Sequence, residues 1–217
     1  LGWDFIDAAE VVRFDRQGVF APEWTNEVLS ERLSRHEHAV IPGFYGAMPS
    51  GEIKTFSRGG SDISGAWIAA ALGASLYENW TDVSGILMAD PRIVENPRPI
   101  PRITYAELRE LSYIGAQVLH EGTVSPVREK NIPLNIRNTN QPEHPGTMIR
   151  ETFDDTEAEK LSGSMITGIA GKKGFSVITL TKNGMSSELG AIRRILEILE
   201  RYHINVEYIP SGIDSVS

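Results

Sequence analysis

The residues with the clearest capacity for chemistry lie together at positions 58–62, where an arginine, two glycines, a serine and an aspartate follow one another. A strand-like segment precedes them, and a helix-forming run follows at once. Backbone N–H groups and the positive end of a helix bind anions at such a junction. Arg58 adds a planar guanidinium that suits a carboxylate or a phosphate. Asp62 could orient a cation or fix the start of the helix.

The loop does not specify a ligand by itself. Two adjacent glycines before a helix, here Gly59 and Gly60, are more often a tight turn than a binding site. The sequence also contains neither of the two common phosphate-binding motifs, the P-loop and the dinucleotide-binding glycine loop. An anion site and a simple turn are therefore both open at this point.

A second group of polar residues follows the strand predicted at residues 75–80. Thr81 and Asp82 stand at its carboxyl end, and open α/β sheets bind ligands at that edge. Taken alone, such a pair is more often only a turn. Arg92, in the loop that follows a proline, is by default a solvated arginine.

Alternating strands and helices must position these residues. The sequence predicts strands at residues 39–46, 54–56, 75–80 and 132–138, and a final edge strand at 148–149. It predicts helices at 22–35 (capped by Thr25 or Asn26), 61–73 (closed by Gly73), 104–113 (with a capping box of Thr104 and Glu107), 115–119 and 124–130. Such alternation favours an α/β fold with a mainly parallel sheet covered on both faces.

The pattern changes after residue 150. Residues 154–160 form an acidic, apolar-poor segment that is typical of a linker. Beyond it, a strand at 175–180, a helix with apolar residues at helical spacing and a strand at 205–209 predict a βαβ unit. Two strands and one helix cannot bury both faces of a sheet, so this unit needs strands from further chain or from another subunit.

The bulk composition excludes several classes of partner and site. The chain has 217 residues, enough for one large domain or a medium domain with a small one. Its net charge of -8 argues against a nucleic-acid or anionic-membrane partner, since either would require a basic face. It contains no cysteine, which rules out disulfides and thiolate sites. No membrane span or targeting segment is visible, so we expect a cytoplasmic protein.

Several motifs in order resemble those of the aspartokinases. Besides residues 57–62, they are Phe44 and residues 80–85, 89–94, 115–120 and 145–147. The resemblance covers essentially the whole chain. It implies an amino-acid kinase α/β/α sandwich in part, with residues 1–150 as the C-terminal part of the kinase domain. Residues 151–163 would be the acidic linker, and residues 164–217 the start of an ACT regulatory domain.

The resemblance also implies roles for particular residues. Arg58 would hold the α-carboxylate of aspartate, and Asp62 would orient the substrate and a catalytic lysine. The remaining aspartate-pocket residues would be Phe44 and Ser61, and the nucleotide site would comprise Thr81, Asp82, Leu87, Arg92 and Gln117. An amino-acid effector would contact Met185, Gly190, Asn205, Val206 and Glu207.

The reaction implied for the family is transfer of the ATP γ-phosphoryl group to the side-chain carboxylate of L-aspartate, with Mg²⁺ bridging the phosphates. The acyl phosphate product leads to lysine, threonine and methionine, and lysine or threonine commonly lowers the activity. A homodimer through the ACT region is the expected assembly.

Two departures from the family pattern bear on activity. The family's Lys-Phe-Gly-Gly loop, which carries the main catalytic lysine, is absent, as is its Ser-x-Gly-Glu segment. Gln117 stands where many members have a lysine near the ATP phosphates. We therefore expect the chain to be a piece of a longer protein and to be inactive by itself.

Two alternatives stay open from the sequence. The first is another amino-acid kinase, such as a glutamate or acetylglutamate kinase. The second is a non-catalytic module that senses an amino acid and forms a dimer.

Overall fold

A computed structural model describes residues 2–57, 59–113, 119, 121–154 and 166–217. The chain divides into two compact units, Leu1–Gly171 and Lys172–Ser217. The first unit carries most of the buried apolar side chains, whereas the second is mainly exposed.

Strands and helices alternate along most of the first unit. Its helices are α1 (Ala8–Val11), α2 (Pro22–Leu33), α3 (Gly60–Leu72), α4 (Tyr105–Tyr113) and α5 (Glu121–Glu129). Its strands are β1 (Asp4–Phe5), β2 (Ala39–Val40), β3 (Tyr45–Ala47), β4 (Ile53–Thr55), β5 (Tyr77–Thr81), β6 (Ile86–Leu87), β7 (Pro99–Ile100), β8 (Arg102–Thr104), β9 (Leu134–Asn138) and β10 (Thr147–Arg150).

The largest sheet among the described residues has four strands in the order β5-β9-β10-β8. β5 runs parallel to β9 and β8 runs parallel to β10, while β9 and β10 are antiparallel. The predicted α/β fold with a mainly parallel sheet is therefore confirmed. The prediction of an edge strand at 148–149 is wrong, because β10 lies inside the sheet and pairs on both sides.

One face of this sheet forms the main core. Ile103, Leu134, Ile136 and Ile149 point from the sheet into it, and each is at most 1% exposed. Helices α3, α4 and α5 contribute buried side chains to the same core, including Tyr105. The helices cover this face of the sheet, because removing its apolar side chains from water is favourable. A second core cluster, built around α1 and α2, packs beneath the β3–β4 hairpin.

The helix ends test the predicted capping residues. Thr104 and Glu107 form the predicted capping box: the N–H of Glu107 donates to Oγ1 of Thr104 at 3.2 Å, and the N–H of Thr104 donates to the glutamate at 2.9 Å. The caps predicted at Thr25 or Asn26 are wrong, because α2 begins earlier, at Pro22. Thr25 is fully buried, and its hydroxyl instead accepts a hydrogen bond from Arg13 N–H at 2.9 Å.

The second unit contains a strand, a helix and a second strand. Strand β11 (Leu180–Thr181) pairs antiparallel with β12 (Ser215–Val216), and the 3₁₀ turn Met185–Ser187 and helix α6 (Ala191–Arg201) lie between them in the chain. The strands predicted at 175–180 and 205–209 are wrong except at Leu180. Apolar residues make those segments suited to strands, but a strand forms only where a neighbour supplies hydrogen bonds, and this unit offers few.

No helix within the described parts of the chain is both long and apolar enough to cross a membrane.

Candidate active site

The glycine pair at the start of α3 is required by local packing. Gly59 occupies the cap position with a φ of 79°, a left-handed conformation that favours glycine. A Cβ on Gly60 would lie 2.6 Å from Cβ of Phe56 and 3.1 Å from Cα of Phe44. The preceding chain therefore passes closely over the first turn of the helix, whose N–H groups are not used within the helix. Arg58, predicted to bind a carboxylate here, lies outside the described residues.

Phe44 is held against this turn. Its φ of 69° is left-handed, which is uncommon for a residue with a side chain. Its N–H donates to Oγ of Ser64 at 3.1 Å, and that hydroxyl donates to the carbonyl of Gly60 at 2.8 Å. A Cβ on Gly43 would lie 3.1 Å from Cα of Ser61. The structure thus places two predicted pocket residues, Phe44 and Ser61, together at the start of α3.

Asp62 lies in the first turn of α3 and is fixed by two residues of β5. Its Oδ1 accepts a hydrogen bond from Nδ2 of Asn79 at 3.1 Å, and its backbone carbonyl accepts one from the hydroxyl of Tyr77 at 3.2 Å. Burial raises the pKa of Tyr77 to about 12, so this hydroxyl keeps its proton at neutral pH. Sequence reasoning missed both residues. The alternation of β5, which puts residues 77 and 79 on one face, is the signal that could have found them.

The carboxyl end of β5 is joined to the loop after β9. Oγ1 of Thr81 donates to Oδ1 of the exposed Asp82 at 3.2 Å. The carbonyl of Thr81 accepts hydrogen bonds from the N–H and the hydroxyl of Thr139, at 2.8 and 3.0 Å. Nδ2 of the buried Asn138 donates to Oγ of Ser84 at 2.8 Å. The two predicted nucleotide residues therefore lie where β5 passes into its loop, and the loop after β9 supports this point.

Thr147 fixes the other end of the same loop. This side chain is fully buried; its Oγ1 accepts from the N–H of Ile86 at 2.8 Å and donates to the carbonyl of Ile100 at 2.6 Å. Gly85 has a φ of 93°, and a Cβ on it would lie 2.4 Å from that oxygen. The loop after β5 thus closes tightly on the first residue of β10. Sequence reasoning assigned no role to Thr147, because the contact joins residues far apart in the chain.

The remaining predicted nucleotide residues follow this loop. Leu87 belongs to β6, where it pairs with Pro99, and it is 38% exposed. The exposed guanidinium of Arg92 donates to both carboxylate oxygens of Asp90, with Nη2 2.6 Å from Oδ2. The hydrogen bonds from Arg92 lower the pKa of the Asp90 carboxyl to about 2. Gln117 lies outside the described residues.

The described residues do not bring together three or more His, Asp or Glu side chains that could hold a metal ion. The sequence contains no cysteine that could add a thiolate ligand.

In the second unit, a cavity of about 190 Å³ opens at the start of α6. Met185 and Gly190, two of the predicted effector contacts, line it, together with Ser186, Glu188, Ala191, Ile192, Arg193, Ser211, Gly212, Ser215 and Val216. The other three predicted contacts are not part of its lining among the described residues. They lie together instead, since Nδ2 of Asn205 donates to Oε1 of Glu207 at 3.1 Å and Val206 lies between them.

A charged cluster borders this cavity. Glu188 accepts hydrogen bonds from Lys182 and from Arg194. The hydrogen bond from Lys182 is the main cause that lowers the pKa of the Glu188 carboxyl. The cavity therefore has both signs of charge in its lining, with Glu188 and Arg193.

Comparisons with known proteins agree with this geometry. Residues 15–138, more than half of the chain, match the model of the amino acid kinase family. Aspartokinase 3 of Bacillus subtilis is 42% identical over 187 residues, which are 86% of this chain and 40% of that protein. The chain thus spans well under half of that relative.

Two solved enzymes share the fold. The aspartate kinase of Clostridium acetobutylicum is 56% identical with a TM-score of 0.82, over 98% of this chain and 48% of that one. The match with aspartokinase III of E. coli includes all of this chain and 48% of the E. coli chain. Its complex with aspartate and ADP (R-state) gives a TM-score of 0.69 at 27% identity, and its complex with lysine and aspartate (T-state) gives 0.64 at 28%. The chain therefore belongs to the amino acid kinase family, as an aspartokinase-like member.

Proposed function

We propose that this chain is part of an aspartate kinase, which transfers the γ-phosphoryl group of ATP to the side-chain carboxylate of L-aspartate. The product, 4-phospho-L-aspartate, is the first intermediate toward lysine, threonine and methionine. The observation that carries the proposal is the glycine turn at the start of α3, with Asp62 fixed by β5. The E. coli relative that was solved with aspartate and ADP supports this choice of substrates. Both substrates occur in the cytoplasm, where we place the enzyme.

The proposal divides the chain into three parts. Residues 1–150 would be the C-terminal part of the kinase domain, residues 151–163 an acidic linker, and residues 164–217 a partial ACT domain. The division of the structure into two compact units supports a separate regulatory part.

The aspartate site is assigned to the start of α3. Arg58 would pair with the α-carboxylate, and Phe44 and Ser61 would form the wall of the pocket. A carboxylate is favourable here because the N-terminal end of a helix carries partial positive charge. Asp62, an anion in the same turn, would orient the substrate's ammonium group and the family's catalytic lysine.

The nucleotide site is assigned to the loop after β5. Asp82 lies on it, between Thr81 at the end of β5 and Leu87 in β6; Arg92 follows β6, and Gln117 completes the set in the sequence. Arg92 is already paired with Asp90, so the phosphates would have to compete with that carboxylate for the guanidinium. The exposed Asp82 is the carboxylate that we assign to an Mg²⁺ ion carried in by ATP, because Mg²⁺ in nucleotide sites binds one or two carboxylates and keeps water and phosphate ligands.

The reaction requires that the two substrates be positioned, and it requires no proton transfer from the aspartate carboxylate. The substrate carboxylate, with an ordinary pKa of about 3.9, is ionised at neutral pH and needs no general base. Two anions must approach one another, so the site must neutralise charge and align the attacking oxygen with the phosphorus. The α3 N–H groups and Arg58 act on the aspartate, and Arg92 acts on the phosphates. Bound Mg²⁺ supplies further neutralisation of phosphate charge.

A substrate panel tests the proposal against other amino-acid kinases. The product of the complete gene that encodes this chain should form a hydroxylamine-trappable acyl phosphate with L-aspartate and Mg-ATP. It should form little with L-glutamate or N-acetylglutamate. Asp62→Asn should lower kcat, with Asp154→Asn, the same substitution at an exposed aspartate outside the proposed site, as the matched control. Activity with glutamate or acetylglutamate but not with aspartate would refute the assignment.

We further propose that the second unit binds an amino-acid effector, lysine or threonine, and joins two chains into a homodimer. Met185 and Gly190 line its cavity, and Asn205, Val206 and Glu207 form a second group of predicted contacts. The lysine complex of the E. coli relative supports an effector of this kind. Tyr208, 81% exposed, and Val177, 80% exposed, belong to a unit whose apolar side chains are widely exposed. Such surfaces mark protein–protein contacts.

Analytical ultracentrifugation of the complete gene product, with and without lysine or threonine, tests this part. A dimer, or a sedimentation change with one of the two amino acids, is expected. A monomer that neither amino acid affects would refute it and leave the kinase assignment untouched.

A further inference from the structure

Asn79 is a buried polar residue in the middle of β5, next to the core. It is 7% exposed, and it shares its face of the strand with Tyr77 and Thr81. A buried amide costs free energy unless its hydrogen-bonding groups have partners. The partners of this amide therefore indicate what it does.

The side chain of Asn79 is directed at the candidate catalytic turn. Its Nδ2 lies 3.1 Å from Oδ1 of Asp62 and 3.4 Å from the hydroxyl oxygen of Tyr77. That hydroxyl donates onward to the carbonyl of Asp62 at 3.2 Å. The three hydrogen bonds can form together, because the amide of Asn79 donates two of them and the hydroxyl of Tyr77 accepts one and donates one. Both the carboxylate and the backbone of Asp62 are thus held from β5.

The space for this arrangement depends on a glycine in α3. A Cβ on Gly65 would lie 2.6 Å from the hydroxyl oxygen of Tyr77 and 3.1 Å from its ring. Any larger residue at position 65 would displace the hydroxyl that supports Asp62. Three residues on two elements, at positions 65, 77 and 79, are therefore fitted to one another around a single carboxylate.

We propose that Asn79, supported by Tyr77, is a positioning residue that holds the Asp62 carboxylate in its reactive orientation. This inference rests on the proposed function, since it assigns Asn79 a role in the same reaction. The amide engages Oδ1 alone. Among the described residues, no hydrogen bond to Oδ2 accompanies it, so this one contact fixes the carboxylate from β5. A displacement of about 1 Å in such a group costs up to about 100-fold in rate.

Removing the amide tests the role directly. In the complete gene product, Asn79→Leu keeps the branched skeleton of the side chain, with a somewhat larger volume, but cannot donate a hydrogen bond. It should lower kcat by about 10- to 100-fold, with KM for aspartate and for Mg-ATP within about threefold of wild type. Tyr77→Phe should give a smaller loss in kcat. Asn135, equally buried at 7% but on the other face of the sheet, provides the control: Asn135→Leu should leave kcat within about threefold.

A pH profile separates positioning from mere structural support. Asn79→Asp puts two carboxylates side by side, which raises the pKa of the pair and disorients Asp62 at neutral pH. As the pH falls, the new carboxyl group takes up a proton and can donate a hydrogen bond to Asp62, as the amide did. The titratable groups that contact position 79 in the described structure are Asp62 and Tyr77, and Tyr77 stays protonated in this range.

The expected result is that kcat of Asn79→Asp, divided by that of wild type, rises as the pH is lowered from about 8 to about 5.5. Asn135→Asp should show a constant ratio. A constant ratio for Asn79→Asp, or an Asn79→Leu variant with wild-type kcat, would overturn the inference. Wild-type protein that lacks aspartate kinase activity would instead refute the proposed function.

Discussion

A methyl group added at Gly146 is expected to destabilise the first unit strongly. This glycine precedes β10 and has a φ of 74°. A Cβ there would lie 1.9 Å from the carbonyl oxygen of Ile136 and 2.9 Å from its carbonyl carbon. Those atoms belong to β9, the central neighbour of β10, so they cannot move without disturbing the sheet. Thr147, which holds the loop after β5, would be displaced with them.

The magnitude follows from two separate effects. A left-handed conformation costs a residue with a side chain about 1–2 kcal/mol. Forcing an extra carbon into a packed site costs a further ~1–3 kcal/mol. Gly146→Ala should therefore lower the free energy of unfolding by about 2–5 kcal/mol. Gly73 is the matched control, since its φ is 57° but a Cβ on it would meet nothing within 4 Å. Gly73→Ala should lower the free energy of unfolding only by the cost of the left-handed conformation, about 1–2 kcal/mol.

Urea unfolding of wild type and the two variants, followed by tryptophan fluorescence and far-UV circular dichroism, provides the comparison. Gly146→Ala should unfold at the lowest urea concentration, with a free-energy difference from Gly73→Ala of about 1–3 kcal/mol. Equal destabilisation by the two substitutions would refute the close approach of residue 146 to β9.

Three further changes have defined outcomes. Arg92→Ala should raise the pKa of Asp90 from about 2 toward its ordinary 3.8, as followed by NMR; no change would contradict the ion pair. Because that pKa is lowered in the folded state, the pair stabilises wild type above about pH 4, and this contribution disappears as the pH falls toward 2. Tyr105→Phe should cost about 1 kcal/mol in urea unfolding, since the hydroxyl donates to the Ile132 carbonyl at 2.7 Å; a neutral effect would contradict it. Thr104→Ala should cost about 1 kcal/mol by the same assay, and Thr104→Ser should restore most of it; a loss that serine does not restore would contradict the cap.

Local patterns predicted the elements that build the candidate site. The glycine pair and the alanine-rich run identified α3, and Gly73 marked its end, because backbone conformation and helix propensity depend on neighbouring residues. The capping box at Thr104 was predictable for the same reason. Strand β5 followed from its apolar pattern, and Thr81 at its carboxyl end followed from sheet topology.

Contacts between distant segments were not predictable in this way. Asn79 reaches Asp62 only because β5 lies beside α3, and Thr147 reaches Ile86 across 61 positions of the chain. The strand prediction at 205–209 was wrong for a related reason. A pattern can show that a segment is suited to a strand, but it cannot supply the neighbouring strand.

Isothermal titration of L-aspartate into the complete gene product tests the central claim most directly, because it asks whether the loop before α3 holds the substrate. We expect that wild type binds aspartate and that Arg58→Ala weakens this binding by at least about 10-fold. Binding of Mg-ATP should change by less than about threefold, since the proposed nucleotide site is at a different place, the end of β5 and the loop after it. Unchanged aspartate binding in Arg58→Ala, or a wild-type protein that binds neither substrate, would contradict the account.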